Sequence, residues 1–413
     1  MYTQQSYPVE YIVNESYSLL SRLSALKPFS MTMPMVKGAS ISGQALKEIT
    51  VLLENGKKQL YNAVTIFIEQ AKSGKQPVTA LQKGFILLKL RFNNILDQLD
   101  IFSDVLTQRA EHEVGIWLSG LDFMAEDGLM IAKQYTDLPP LMVFLERGHG
   151  AAIRRARTRL PGGDENPVAV IQIPRERMVG SGIASSLIHE VGHQAAELLE
   201  MLHPLKQTIE KNLYSDHNPS YKYFSRWISE IIADYWAVGQ LGITAALGLT
   251  GVVTLPKYFQ FRLDLDDPHP APYVRVQICC AFGKSLYPHP QWDRLWDVWK
   301  TFYPADELSP DKKELLKKIE EALPLFVKLV NEFKPTSLKG KNLASVFPLQ
   351  ERQPIQLQQY FEKWKNDSHS IDRAPPTLFF AVMGQAKSDL KLNAAAESRI
   401  ITKQLRKWAF NRN

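Results

Sequence analysis

Two histidines four residues apart with a glutamate after the first, His189-Glu190-Val191-Gly192-His193, are the residues of this sequence best placed to do chemistry. On a helix, positions four apart differ by about 40° in rotation and one turn in rise, so both imidazoles project from one face and can hold one metal ion. Zinc suits such a pair. The glutamate beside the first histidine can then reach the water that the metal activates and act as general base. Ser185, Leu187, Ile188, Ala195, Ala196 and Leu198 surround the motif with a buried helix, where three polar side chains need partners. The alternative is a satisfied polar cluster without metal.

A catalytic zinc takes three protein ligands and keeps a fourth position for water. Glu197 lies next on the same face, but it stands nearly in line with His189 and His193 and cannot close a tetrahedron. The extended pattern HExxHxxGxxH fails twice, with Ala196 and Leu199 at the required positions. A better third ligand is Glu230, in Trp227-Ile-Ser-Glu-Ile-Ile-Ala-Asp234. A carboxylate on so apolar a helix is unfavourable unless it is paired or metal-bound. Asp234, one turn later, can accept the spare N–H of a ligating imidazole and fix its tautomer. Pairing of both acids with arginines such as Arg226 is the alternative.

HExxH followed after several tens of residues by a helical ExxxD resembles the gluzincin group of zinc metallopeptidases, to which thermolysin belongs. The form Glu230-Ile-Ile-Ala-Asp234 is similar to the E-x-x-A-D of membrane-associated and cytosolic HExxH peptidases. The resemblance spans residues 167–283 and is silent about both flanks. It implies a zincin-like core and a zinc-dependent peptidase, with zinc on His189, His193 and Glu230, Glu190 as base and Asp234 orienting His189. It also implies a substrate-binding edge strand just before the metal helix, which places it at residues 167–174. Similar peptidases carry His-Pro followed within several residues by Arg near the cleft, which points at His269 and Arg275, and Tyr273 is of the usual type for an oxyanion donor. A rigid proline loop with a surface histidine is the alternative for this segment. Tyr221 and Tyr223 are further donors shortly before Glu230.

Around this centre the chain divides into three parts: a helical region at 1–138, the metal-bearing core at 139–285 and a second helical region at 286–413. Residues 42–132 place Leu46, Ile49, Leu53, Leu60 and Val64, then Leu81, Leu88, Ile95 and Leu99, at helical spacing. Ser73-Gly-Lys-Gln-Pro77 between the two runs predicts an antiparallel helical hairpin. Residues 141–145 and 167–174 are short apolar runs bounded by Pro and Gly, the texture of strands. Arg154, Arg155, Arg157 and Arg159 lie between them, in a loop that is either simply solvated or a flap over the cleft. Residues 315–333 and 394–410 are amphipathic helices. The expected class is α+β, predominantly α-helical, with a small sheet and two metal-bearing helices at its centre.

Composition excludes other classes. In 413 residues, 45% are hydrophobic and 22% charged, which is too apolar for a disordered chain and ordinary for a globular one. A net charge of +6 does not by itself call for nucleic acid, and Trp408 and Phe410 in the basic 403–412 end fit helix docking better than base stacking. Residues 235–255 carry no charge, but repeated glycines and Pro256 make them a buried helix pair rather than a membrane span. The first residues have no basic start or apolar run, so no secretory signal is expected. Adjacent Cys279 and Cys280 read as buried thiols, and a cytoplasmic address is the expectation. The tryptophans at 292, 296 and 299, with Tyr287, Phe302 and Tyr303, read as core packing. His112, His149, His203, His217, His289 and His369 have no partner at metal spacing. The expected function is hydrolysis of peptide bonds with zinc as cofactor. The rivals are a non-catalytic peptide-binding scaffold and a zinc hydrolase of a non-peptide amide.

Overall fold

The computed structural model describes residues 6–33, 35–147, 150–175, 180–367 and 369–411; His149 and Arg412 lie outside them. The N-terminal part is a small helical bundle of α1 (Ser6–Ala25), α3 (Gly43–Lys72) and α4 (Val78–Thr107), with a one-turn α2 (Phe29–Thr32) between the first two. Ser42 caps α3, its hydroxyl accepting from the Ala45 N–H at 3.2 Å, and Gly74 makes the hairpin turn with a positive φ. Leu19 and Leu23 of α1 interleave with Leu60 and Val64 of α3 and Leu81 and Leu88 of α4. The hairpin is as expected from the apolar spacing, whereas α1 adds a third helix.

After α5 (His112–Met130) come three strands, β1 (Leu141–Glu146), β2 (Ala152–Arg154) and β3 (Ala169–Pro174), in the order β1-β3-β2. β3 pairs parallel with β1, Leu141 opposite Ala169, and antiparallel with β2, Ile153 opposite Ile171. Both faces are covered. Leu141, Val143, Ala169 and Ile171 face the main core, while Met142 and Val170 face α3 and α4. That explains why these strands read as unbroken apolar runs rather than alternating ones. It also corrects one expectation: residues 167–174 hold the central strand, not an edge, because their backbone groups are consumed on both sides. The edges are β1 and the short β2, the latter formed inside the arginine-rich segment.

The rest is helical: α6 (Gly182–Leu198), α7 (Leu202–Leu213), α8 (Ser220–Leu241), α9 (Ile243–Val253), α10 (Lys257–Gln260), α11 (Pro272–Leu286) and α12 (Gln291–Phe302). α13 (Pro310–Glu332), α14 (Pro354–Asn366), α15 (His369–Asp372), α16 (Pro376–Ser388) and α17 (Ala394–Asn411) complete the chain. The uncharged stretch is the end of α8 and all of α9, broken at Gly242 where φ is +57°. No helix among the described residues is long and apolar enough to cross a membrane. Trp292, Trp299 and Tyr287 are buried in the core, as are both cysteines, while Phe302 is exposed. One continuous buried cluster runs from Trp117 on α5 to Trp408 on α17, so the segments at 139–285 and 286–413 share a hydrophobic interior.

Candidate metal centre

α6 threads the main core. Ile183, Ala184, Leu187, Ile188, Val191, Ala195 and Ala196 are buried around it, which fixes the rotation of the helix and hence the direction of its histidines. Its N-terminus is capped from the far end of the chain, by the buried Glu397 of α17 accepting from the Ser181 N–H and hydroxyl. α8 packs directly against it. At Gly192 a Cβ would stand 2.8 Å from Ala233 Cα and 2.9 Å from Trp236 Cβ, so only glycine lets the two helices come this close. The glycine inside HExxH therefore brings His193 to Glu230.

The helices deliver three ligand atoms to one point. His189 Nε2 lies 3.4 Å from Glu230 Oε2, and His193 Nε2 lies 3.3 Å from Glu230 Oε1. Ligand atoms of all three residues fall within 4.8 Å of one another. Zinc bonds of about 2.0–2.1 Å in a tetrahedron separate neighbouring ligand atoms by about 3.4 Å. The donor set, two imidazoles and a carboxylate, is of the kind that holds zinc, and its ligand atoms are close enough together to share one ion.

The other ring nitrogens are held by α8. Asp234 Oδ1 is 2.8 Å from His189 Nδ1, and the Ser229 hydroxyl is 3.3 Å from His193 Nδ1. With both Nδ1 atoms engaged, both Nε2 atoms are turned to Glu230. Ser229 was not expected from sequence; its only signal is adjacency to the ligand glutamate. Arg275 of α11 closes the arrangement, its Nε and Nη2 donating to Asp234 at 2.7 and 2.9 Å. Nη2 also lies 3.3 Å from Glu230 Oε2 and 3.4 Å from each nitrogen of His189.

These contacts set the charges. Burial opposes ionisation of Asp234, but Arg275 and His189 outweigh it and hold the carboxyl below the usual range. Burial opposes ionisation of Glu230 too, and His189, His193 and Arg275 carry its carboxyl well below the carboxylate range. Burial would lower His189, yet Asp234 and Glu230 push its imidazole up to about 10. The shift favours the protonated form of His189, and a metal ion binding through its Nε2 would have to displace that proton. Glu190 behaves oppositely: burial pushes its carboxyl up against the pull of His189 and His193. Among the described residues, no hydrogen bond or ion pair is made to its carboxylate.

The expected loop residues divide. His269 stands at the rim, 59% exposed, its Nε2 3.9 Å from Glu230 Oε1 and its Nδ1 3.0 Å from Asp267. It is outside the group of three candidate ligands. Arg275 is brought to the centre, but onto Asp234 and Glu230 rather than into open solvent. Tyr273 goes elsewhere: its ring packs between Phe261 and Trp296, 4.7 and 5.1 Å between centroids, and burial raises its hydroxyl to about 12. Tyr221 packs on Tyr214 and Tyr223 on Trp227. Arg226 donates to the Leu265 and Asp266 carbonyls rather than pairing with Glu230 or Asp234. The arginine loop is pinned to the scaffold, with Arg155 on Glu197, Arg157 on the Asp137 carbonyl and the Ala156 N–H on Gln194 of α6. Comparison of the chain with known proteins gives no matching family model, no similar curated protein and no similar solved structure.

Proposed function

We propose that this protein is a zinc-dependent peptidase of zincin-like architecture, with His189, His193 and Glu230 holding the metal and Glu190 as general base. The observation that carries the proposal is two imidazoles and a carboxylate with ligand atoms within 4.8 Å of one another, beside an acid, Glu190, that has no hydrogen bond or ion pair among the described residues, and with no fourth His, Cys, Asp or Glu in the group among those residues. Structural zinc sites have four protein ligands, whereas catalytic ones keep a position for water. A bound zinc supplies Lewis-acid polarisation of a carbonyl and lowers the pKa of water.

The chain's own residues do the rest. Glu190, its carboxyl raised by burial, accepts a proton from the attacking water and passes it to the leaving amine nitrogen. Asp234 fixes the tautomer and orientation of His189 and is itself aligned by Arg275 through two hydrogen bonds. The Ser229 hydroxyl, beside His193 Nδ1, helps hold the orientation of that ring. His269, exposed at the rim beside Glu230, is the candidate donor to the developing oxyanion. Tyr273 is withdrawn from that role because its ring is committed to the aromatic cluster.

A peptide substrate is favoured by β2. This edge strand packs beside α6 and pairs on one side only, so its other side offers backbone N–H and C=O groups to an extended chain. An intact Glu190 weighs against a binding-only scaffold, which has no use for a buried unpaired base. The test is metal content and cleavage of a peptide library by the purified protein. Cleavage abolished by a chelator and restored by zinc supports the proposal. Protein without zinc, or cleavage indifferent to the chelator, overturns it.

A further inference from the structure

α11 turns Arg275 toward the metal centre, and Gln277, two residues on and about 200° around the helix, lines a separate cavity of about 450 Å³. Its volume suits a small molecule. Gln277, Cys280, Ala281 and Lys284 share one face of α11 and form one wall. α12 contributes Trp292 and Trp296, and α13 contributes Leu323 and Val327. Trp292 is fixed in place: it is 1% exposed, and its indole N–H donates to the Tyr287 carbonyl at 2.8 Å. Trp296 is half-buried, its ring 5.1 Å from that of Tyr273. Cys280 adds apolar surface rather than a nucleophile, since burial pushes its thiol up to about 12.

Three charged side chains line the cavity. Lys284 and Asp293 neutralise each other, with contacts of 2.8 and 2.9 Å. Glu320 is exposed and has no ion-pair partner among the described residues, so the charge that remains disfavours an anion. The selective group is Gln277, which is only 7% exposed. Its side-chain amide makes no hydrogen bond among the described residues. Neither its Oε1 nor its Nε2 is sealed inside the protein, so both atoms open on the cavity. A largely buried amide with both ends unpaired is unfavourable unless a partner reaches it.

We propose that this cavity binds an uncharged aromatic amide, its carboxamide paired edge to edge with the Gln277 side chain and its ring against Trp296 and the apolar wall of α13. A primary carboxamide carries a C=O acceptor beside an N–H donor, which complements the Nε2 donor and Oε1 acceptor of glutamine in two hydrogen bonds. A carboxylate offers Oε1 no donor and is repelled by Glu320, while an ammonium offers Nε2 no acceptor. The ring gains from contact with the Trp296 indole.

The test is calorimetric titration of the full chain, pretreated with a chelator so that the outcome is independent of the peptidase proposal. The probes are benzamide, benzoate, benzylamine and acetamide. Benzamide is expected to saturate one site, with each of the others weaker by about ten-fold or more. Gln277→Leu keeps the volume and removes both polar ends. It is expected to leave the melting temperature unchanged or raise it, while weakening benzamide by about ten-fold or more. Trp296→Leu is expected to weaken benzamide by about three-fold or more. Absence of saturable benzamide binding, benzoate or benzylamine binding as tightly as benzamide, or benzamide binding unchanged in Gln277→Leu or Trp296→Leu overturns the proposal.

Discussion

Asp234 Oδ1 and His189 Nδ1 are 2.8 Å apart, and they come from two helices that meet because residue 192 is a glycine. This contact joins the ligand set to Arg275 and fixes which nitrogen of His189 faces Glu230. Asp234→Asn keeps the shape but removes the charge. Zinc affinity is expected to fall about 10–100-fold, as for other partners of ligating histidines, measured by competition with a chromogenic chelator.

The raised His189 imidazole gives the metal-free protein a pH dependence of definite sign. A group whose folded pKa lies at about 10 rather than 6.5 contributes stability that is complete below about pH 6.5 and lost as pH rises through 10. Chemical denaturation of chelator-treated protein should show that decline. Zinc-loaded protein should not, because its His189 has already given up the proton. Zinc affinity should rise with pH over the same interval, since each metal bound releases that proton.

Gly192→Ala tests whether helix proximity builds the site. A methyl 2.8 Å from Ala233 Cα overpacks the α6–α8 contact, for an expected loss of about 1–3 kcal/mol together with weakened zinc binding. Gly251→Ala on α9 is the control: a Cβ there meets nothing within 4 Å, and stability should rise by about 0.5–1 kcal/mol with zinc affinity unchanged. Denaturation curves and zinc titrations of both variants decide the matter.

His269 and Arg275 should separate cleanly. His269→Ala, at the exposed rim, is expected to lower kcat by about 10²-fold or more while leaving zinc affinity intact. Arg275→Ala leaves Asp234 and Glu230 buried without their cation, for an expected destabilisation of about 3–5 kcal/mol and impaired zinc binding. Steady-state kinetics and metal titration of the two variants read the difference.

The histidine face of α6 is legible because its information is local: two histidines at i and i+4 must share a face. Glu230 and Asp234 were legible as carboxylates on a helix otherwise made of Trp, Ile and Ala. The long α3–α4 hairpin and the break between α8 and α9 followed from apolar spacing and glycine. What escaped depends on tertiary pairing. The edge at residues 167–174 is what the resemblance implies, and nothing local reveals that β3 is covered on both sides, by β1 and by a three-residue strand ending in Arg154 inside a segment that reads as a charged loop. Tyr273 has the right chemistry for a cleft, but nothing local reveals that its ring turns to Phe261 and Trp296. Ser229 looks like any helix serine until His193 is placed beside it.

In the proposed mechanism Glu190 moves the proton of a zinc-dependent peptide hydrolysis. The most direct measurement is peptide cleavage by zinc-loaded wild type and Glu190→Gln, with zinc content determined in both. The predicted result is equal zinc in the two proteins and cleavage reduced about 10²–10⁴-fold in the variant. Equal cleavage at equal zinc would remove Glu190 from the reaction.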